Sequence, residues 1–182
     1  MEPRSALAEF DEKAGRYTVH MGCQGTFGMR NQLAALLNVE PAKVRVLTKN
    51  VGGSFGMKSF AYPEYICLLH AAKMLGRPIK WTDERSSSFL SDQQGRDHDV
   101  EGELALDKDG NFLAVRLSLF SNMGGYLAAV GPNMATNNMV KNITSVYKTP
   151  AIEINTKCVF TNTTPISAYR GAGRPEANYY ME

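Results

Sequence analysis

Cysteine, long apolar runs and an excess of either charge are what this sequence lacks. Three cysteines stand far apart, at Cys23, Cys67 and Cys158, which argues against a disulfide framework or a CxxC metal site and favours a reducing compartment. No apolar run approaches the roughly 18 residues of a membrane span, and the polar first residues do not resemble a signal peptide. The sequence has 20 basic and 18 acidic residues, for a net charge of +2, so we expect a protein that binds neither nucleic acid nor membranes. The cysteine usage leads us to expect a cytoplasmic location.

The patterns that are present indicate an α+β fold, a mixed sheet with packed helices. Strand patterns cover residues 16–21, 44–47, 79–82, 97–106, 111–121 and 152–160. Helical patterns cover residues 26–37, 61–75, 132–141, a short segment that Asp83 would cap and that ends at Leu90, and a segment that starts at Pro175. We expect one fragment, residues 1–182, with a βαβαβ-like part over 1–94 and a second part over 95–182 that holds the hairpin and the last glycine-rich loop.

The sequence also predicts which of several side chains are buried and which are exposed. In the first helix, Met29, Leu33, Leu36 and Leu37 fall on one face and are predicted to be buried. His70 lies in the apolar face of the second long helix and is predicted to be a core residue. The polar residues 85–88 and 92–99 are predicted to form a solvated connection.

The first candidate site is the glycine-rich loop over residues 52–56, between a strand and a helix. Gly53 and Gly56 would allow the backbone at Ser54 and Phe55 to approach a ligand and turn its N–H groups toward an anion. The spacing matches neither a P-loop nor a dinucleotide fingerprint. A tight connection without a ligand is the alternative.

Two further turns could bind a polar or anionic group. Gln24 and Gly25 stand at another strand-to-helix junction, where the amide of Gln24 offers donors and an acceptor. Tyr169, Arg170 and Gly171 belong to a glycine- and arginine-rich turn just before the last helix, a favourable place for an anion. The alternatives are an ordinary surface glutamine and an arginine that makes a structural ion pair.

These turns, in this order, resemble one family. The motifs are Cys-Gln-Gly-Thr at 23–26, Val-Gly-Gly-Ser-Phe-Gly at 51–56 and Ala-Tyr-Arg-Gly-Ala-Gly-Arg-Pro-Glu-Ala at 168–177, together with Met-Glu-Pro-Arg at 1–4 and Lys-Val-Arg-Val at 43–46. Together they resemble the molybdopterin-binding large subunit of the xanthine dehydrogenase, aldehyde oxidase and aerobic carbon monoxide dehydrogenase family. The last loop is most similar to the carbon monoxide dehydrogenase-like large chains called form II.

The resemblance implies a cofactor and its binding residues. It implies a molybdopterin, as the cytosine dinucleotide or a related form, whose metal is held by the pterin and not by protein side chains. The cofactor-binding residues would be Gln24, Gly25, Gly53, Ser54, Phe55, Gly56, Tyr169, Arg170 and Gly171. It also implies a medium subunit with FAD and a small subunit with [2Fe-2S] clusters as partners, and a small molecule that is oxidised with water as the oxygen source.

Departures from the family pattern limit the expected chemistry. By this resemblance, Gly171 occupies the position at which copper-containing members have a cysteine. Ala172 and Asn138 occupy the positions at which purine-oxidising members have an aromatic residue and a substrate-binding arginine. The catalytic glutamate of the family, in a Gly-Val-Gly-Glu-Pro-type motif, has no counterpart here. We therefore expect a fragment that folds but is inactive by itself, from an enzyme that oxidises an aldehyde, an N-heterocycle or carbon monoxide. The alternatives are a small-anion or nucleotide-binding module and a non-catalytic subunit-interaction domain.

Overall fold

A computed structural model describes residues 1–182, which form two compact units. The first unit is Met1–Asp92 and the second is Gln93–Glu182. Both combine sheets with helices, so the predicted α+β class is confirmed. None of the helices combines the length and the apolar character that a bilayer crossing requires.

The first unit is a four-stranded sheet with helices packed against it. Its elements are β1 (Ser5–Asp11), β2 (Arg16–Met21), α1 (Thr26–Leu37), β3 (Val44–Leu47), α2 (Pro63–Leu75), β4 (Ile79–Thr82) and α3 (Arg85–Ser91). The strand order is β3-β2-β1-β4, in which β1 is antiparallel to both neighbours and β2 is parallel to β3. The parallel pair flanks α1, as a crossover connection requires.

Strand β1 is the element that the sequence patterns did not predict. Its residues include Ala, Leu and Glu, which have good helix propensity, so the local signal is weak. Pairing on both sides decides its structure, because β1 lies between β2 and β4 and buries Ala6 and Ala8 in the core.

The buried face of α1 is narrower than its apolar face. Met29, Leu33 and Ala34 are buried against the sheet, but Leu36 is 60% exposed, so its predicted burial was wrong. The prediction for His70 in α2 was also wrong, since this side chain is exposed while Tyr65, Leu68, Leu69 and Ala72 face the core.

The start of α3 also differs from the prediction. The helix begins at Arg85, with Glu84 at the N-cap position, so Asp83 does not cap it. The carboxylate of Asp83 instead accepts hydrogen bonds from the Glu84 backbone N–H at 3.0 Å and from the Ser88 hydroxyl at 2.8 Å.

The second unit is a three-stranded sheet that packs against two short helical segments. Its elements are β5 (His98–Leu106), β6 (Phe112–Asn122), α4 (Gly131–Asn133), which continues as a π-helical turn (Met134–Asn138), β7 (Ala151–Val159) and α5 (Arg174–Met181). The predicted hairpin of β5 and β6 is confirmed, and β7 pairs parallel with β6. Alternate residues of β6, Val115, Leu117 and Leu119, form the core with Met139 and Ala177.

Candidate functional site

Gln24 lies three residues after the end of β2, and both its backbone and its side chain are fixed by hydrogen bonds. Its backbone N–H donates to the carbonyl of Lys58 at 3.0 Å. Its side-chain Oε1 accepts from the Ser54 hydroxyl at 2.6 Å and from the Gly56 backbone N–H at 3.0 Å. The Nε2 amide makes no hydrogen bond within the protein, and the side chain is exposed, so a fixed donor pair faces outward.

The glycine-rich loop is the part of the first unit with the most unusual backbone. Gly52, Gly53, Phe55 and Gly56 all have positive φ, at 67°, 90°, 55° and 109°. Three of these positions suit glycine, but Phe55 adopts a conformation that costs a side-chain-bearing residue about 1–2 kcal/mol. Such strain persists where the surrounding structure imposes it, and it concentrates at functional sites.

Several backbone N–H groups of this region have no acceptor in the protein. Those of Gly53 and Ser54 donate no hydrogen bond. Helix α1 starts just after Gln24, its N-cap Gly25 supplies no side-chain cap, and its first turn contains no acidic residue. Free N–H groups at a strained turn and at an uncapped 12-residue helix form a favourable environment for an acceptor-rich anion.

A buried lysine, Lys58, donates a hydrogen bond to the backbone just before the glycine-rich loop. Lys58 is 3% exposed, and its Nζ donates to the carbonyl of Val51 at 2.6 Å. Burial lowers the pKa of Lys58, while the negative charge of Glu2 opposes that shift. The backbone N–H of Glu2 donates to Gly52 at 2.8 Å, so the segment before β1 is tied to the same loop.

Arg4 is the largest fully buried side chain and joins α2, α3 and β4 of the first unit. Its Nε lies 2.6 Å from Asp92, and its Nη1 and Nη2 lie 2.8 and 3.1 Å from the two oxygens of Glu64. Asp83 lies 3.6 Å away, and the guanidinium carbon is 3.9 Å from the ring centroid of Tyr62. We call Arg4, Glu64, Asp83 and Asp92 the arginine cluster. The sequence had predicted that Asp92 belongs to a solvated connection, and this prediction was wrong for Asp92.

The two carboxylates that bind Arg4 most directly respond differently to it. Burial favours the protonated form of Glu64, but its two hydrogen bonds with Arg4 hold its pKa below the ordinary value. Burial raises the pKa of Asp92, and the neighbouring charges of Asp83 and Glu64 add to that rise, which outweighs the pairing with Arg4. One cation thus lies beside three carboxylates, and its pairing compensates the burial of Glu64 but not that of Asp92.

The second glycine-rich turn lies in the second unit and leads into α5. Gly171, Ala172 and Gly173 have φ of 94°, 45° and 97°. A Cβ at Gly173 would lie 2.6 Å from the Met134 carbonyl, so only glycine fits this close approach to the helical turn. The carboxylate of Glu176 accepts from the Gly173 backbone N–H at 2.9 Å and caps the helix.

The side chain of Asn138 is hydrogen-bonded to the backbone of the same turn. Its Nδ2 donates to the carbonyl of Ala172 at 3.2 Å. Tyr169 and Arg170 are exposed at the start of the turn, and Gly171 is exposed after them. Asn138 and Ala172, the positions at which the sequence departs from the purine-oxidising pattern, are therefore in direct contact.

The structure brings together part of the predicted site residues. Gln24, Ser54 and Gly56 are hydrogen-bonded to one another, and Gly53 and Phe55 belong to the same loop. Tyr169, Arg170 and Gly171 belong to the second unit. The sequence patterns missed Arg4 and Lys58. Only Arg4 had a signal, as the last residue of the Met-Glu-Pro-Arg motif.

Glycine turns with positive φ in both units, together with unpaired N–H groups in the first, are typical of a domain that binds an anionic group through its main chain. The family assignment makes this specific. Residues 1–182 match the family described as "Molybdopterin cofactor-binding domain", and the chain belongs to that family.

Similar proteins agree on the family. The chain is 35% identical over 188 residues to the 6-hydroxypseudooxynicotine dehydrogenase complex subunit gamma of Paenarthrobacter nicotinovorans, which covers 100% of this chain and 23% of that protein. It is 31% identical over 184 residues to the carbon monoxide dehydrogenase large chain of Hydrogenophaga pseudoflava, again with coverage of 100% and 23%. Among solved structures, quinoline 2-oxidoreductase from Pseudomonas putida 86 superposes with a TM-score of 0.90 at 30% identity, over 95% of this chain and 22% of that one. The chain thus spans less than a quarter of these proteins.

Proposed function

We propose that this chain is the molybdopterin-binding part of a molybdenum hydroxylase large subunit, which oxidises an aldehyde, an N-heterocycle or a carbon monoxide-type molecule with water as the oxygen source. The observation that carries the proposal is the set of hydrogen-bond donors without a protein acceptor, at Gln24 Nε2 and at the N–H groups of Gly53 and Ser54. When bound, the molybdenum centre supplies the two-electron oxidation. The protein's part is to bind that centre, orient it and favour the charge that develops beside it.

Gln24 would orient the cofactor by donating from Nε2 to one of its oxygens. The donor is already positioned, because Ser54 and Gly56 fix the opposite side of the amide. A preorganised donor loses little further side-chain entropy when its ligand binds. The loop from Gly53 to Gly56 would add backbone N–H groups, with the ring of Phe55 as a wall of the pocket, and Gly25 would allow close approach at the start of α1.

Tyr169, Arg170 and Gly171 would form the side that faces the metal and the substrate. The guanidinium of Arg170 would favour negative charge that develops during oxidation. Gly171 offers no thiolate, which speaks against a copper-bridged centre that oxidises carbon monoxide. Ala172 and Asn138, which contact each other through a hydrogen bond, provide neither the stacking ring nor the arginine of the purine-oxidising pattern.

The remaining parts of the enzyme would come from other chain segments and other subunits. We propose a cytosine dinucleotide or related form of molybdopterin, a medium subunit with FAD and a small subunit with [2Fe-2S] clusters, in the cytoplasm. The general-base glutamate would lie outside residues 1–182. The names of the relatives, which are subunits or chains of dehydrogenases, support a multi-subunit enzyme.

Metal content tests the proposal directly. We expect the 182-residue chain, purified from a host that makes molybdopterin, to contain far less than stoichiometric molybdenum by elemental analysis. A longer subunit that includes this chain should contain a stoichiometric amount. A 182-residue chain with stoichiometric molybdenum and turnover would contradict the predicted inactivity.

One substitution isolates the outward donor of Gln24. Gln24→Glu keeps an oxygen that can accept from Ser54 and Gly56 but replaces the Nε2 donor with a negative charge. We expect the loaded longer subunit to lose most of its molybdenum while the urea midpoint of the 182-residue chain stays nearly unchanged. Unchanged molybdenum content would remove Gln24 from the binding site.

A thermal-shift series separates the alternative of a small-anion or nucleotide module. A module of that kind gains stability with the logarithm of the ligand concentration once that concentration exceeds its Kd. We expect phosphate and nucleoside diphosphates to leave the melting temperature of the chain unchanged. A melting temperature that rises with the logarithm of the concentration of either ligand would favour the alternative.

A further inference from the structure

Arg96 contacts the Tyr169–Gly173 turn at two places and the helix that follows it at a third, although it lies more than 70 residues earlier in the chain. Its guanidinium carbon is 4.8 Å from the ring centroid of Tyr169. Its Nη2 donates to the backbone carbonyl of Arg170. Its Nε lies 3.3 Å from Glu176 Oε1, the carboxylate that also caps α5 through the N–H of Gly173.

The backbone around Arg96 is shaped to bring it against the turn. A Cβ on Gly95 would overlap the Cβ of Tyr169, so this position requires glycine for the two segments to lie so close. Arg96 itself has a φ of 60°, a left-handed conformation that is rare for a residue with a side chain. This residue was predicted to be part of a solvated connection, yet its side chain is only 30% exposed.

The turn needs such support because it is strained. Three consecutive residues, Gly171, Ala172 and Gly173, have positive φ, and Ala172 has no glycine freedom. Within the turn itself, only short-range bonds such as Ala172 N–H to the Tyr169 carbonyl, at 2.8 Å, hold this shape. Arg96 contacts Tyr169 and Arg170 before the strained residues and Glu176 after them, and a lysine could not make these contacts together because it lacks the planar fork.

We propose that Arg96 is a positioning residue that fixes Tyr169 and Arg170 in the conformation in which they face the bound cofactor and substrate. This inference deepens the proposed function and rests on it for the identity of the bound group. The geometric part, that Arg96 controls the order of the turn, does not depend on what the turn binds. The two parts can therefore fail separately.

Limited digestion with trypsin measures the order of the turn in the 182-residue chain. Trypsin must bind an extended segment, so cleavage after Arg170 requires the turn to open, whereas Arg174 is protected by the proline that follows it. Cleavage after Arg116, in the central strand β6, requires the sheet of the same unit to open. When opening is fast, each cleavage rate follows the population of its open state.

The ratio of the two cleavage rates distinguishes positioning from a general structural role. We expect Arg96→Gln to raise the rate of cleavage after Arg170 by about tenfold, the change for a loss of about 1.4 kcal/mol of local stability, with little change after Arg116. Arg96→Lys should give a smaller increase. An equal rise at both sites, or no rise at Arg170, would overturn the inference.

Two partner substitutions and one control complete the test if Arg96 variants fold poorly. Tyr169→Leu removes the ring and should also expose Arg170, whereas Tyr169→Phe keeps the ring and should retain the protection. Lys157→Gln removes another cation–ring contact of this unit, 5.5 Å from the Phe120 centroid, and should leave cleavage after Arg170 unchanged. A Tyr169→Phe turn as open as the Tyr169→Leu turn would count against the ring contact.

The loaded longer subunit tests the second part. Arg96→Lys should lower kcat more than it lowers the molybdenum content, since the turn would be misplaced while the Gln24 loop remains. If molybdenum content and kcat are both unchanged while the digest shows selective opening, the turn is ordered by Arg96 but does not face the reacting groups. That result would contradict the assigned role without touching the molybdopterin assignment of the family.

Discussion

Replacing Arg4 by methionine is the most severe single test of how the first unit is held together. The guanidinium is 1% exposed, bonds to Glu64 and Asp92, and lies near Asp83. Methionine has a similar length and fills much of the same volume. Arg4→Met therefore removes the charge and the hydrogen bonds while leaving the smallest cavity.

The expected loss of stability follows from the burial of the carboxylates that remain. Removal of one partner of a buried ion pair costs about 3–5 kcal/mol. Glu64 is 33% exposed and can regain water, whereas Asp83 and Asp92 are 6% and 13% exposed and cannot do so without local opening. Because Glu64, which makes two hydrogen bonds with Arg4, is the carboxylate that can regain water, we expect the lower end of the range, a loss of about 3 kcal/mol. A unit of this size has on the order of 5–14 kcal/mol in total, so the loss is large.

Fluorescence of the single tryptophan reports this unit selectively. Trp81 lies in β4, with its ring centroid 5.3 Å from the guanidinium carbon of Arg4. Urea unfolding followed at this residue gives the free energy of unfolding from the midpoint and the m-value. Arg16→Met, at an exposed position of β2, is the control and should change the midpoint little.

The pH dependence of the difference is a second, independent readout. Arg4 holds the pKa of Glu64 below its ordinary value, so this part of the stability is present above the unfolded pKa and is lost as the pH falls through the folded one. In Arg4→Met, burial without a cation raises the carboxylate pKa values above the unfolded ones. The variant is then more stable in acid and loses stability as the pH rises. The gap between the two proteins should narrow between neutral pH and about pH 4.

Two results would refute this reasoning. A loss below about 1 kcal/mol at neutral pH would mean that the carboxylates find water or other partners without Arg4. A loss that stays constant down to about pH 4 would mean that packing around Tyr62 and Trp81, and not charge, is what Arg4 contributes.

Two further predictions concern single positions. Gly56→Ala forces a side chain into a backbone with φ of 109° and should lower the free energy of unfolding in urea by about 1–2 kcal/mol. Gly28→Ala, in open space within α1, should raise that free energy by about 0.5–1 kcal/mol, and equal effects would mean that loop strain is unimportant. Burial lowers the pKa of His98, so the unfolded chain binds protons more readily and the second unit should lose stability as the pH falls below about 6.5. Hydrogen exchange of β6 amides should record that loss, and His98→Gln should flatten it.

Local patterns were sufficient to predict most of the elements. The strands at residues 16–21, 44–47 and 79–82 were predicted with the boundaries that the structure has. Helix α2 was predicted over residues 61–75 and covers Pro63–Leu75, so its end was correct and its start lies two residues later. Gly76 follows it with a left-handed φ of 61°, as is typical of a glycine that ends a helix. These features depend on neighbouring residues and are therefore visible in a single sequence.

The parts that were missed depend on partners far away in the chain. Arg4 pairs with residues 60 and 88 positions later, and β1 is a strand because of pairing with β2 and β4. Arg96 contacts residues 73 to 80 positions later. No periodicity or capping pattern encodes such contacts. The polar stretch predicted to be solvated therefore contains Asp92, which pairs with Arg4 within the first unit, and Arg96, which contacts the turn within the second.

The sequence predicted which residues belong to the candidate site but not the hydrogen bonds that orient them. The resemblance identified Gln24 and the glycine-rich loop together. It did not indicate that Ser54 and Gly56 hold the amide oxygen of Gln24, which leaves the nitrogen as the outward donor. The orientation of the Gln24 amide is set by hydrogen bonds with residues 30 and 32 positions later in the chain, which no local pattern encodes.

Phe55 allows one last prediction that separates stability from function. Its φ of 55° is unfavourable for a side-chain-bearing residue, and its ring is 47% exposed, so partial burial offsets the strain only in part. Phe55→Gly should therefore stabilise the first unit by up to about 1 kcal/mol in urea unfolding, the strain relieved less the greater freedom of glycine in the unfolded chain. The same change removes the wall that we propose for the cofactor pocket and should lower the molybdenum content of the loaded subunit. A destabilised Phe55→Gly chain would mean that the ring packs more favourably than its exposure indicates, and the strain would then need no functional explanation.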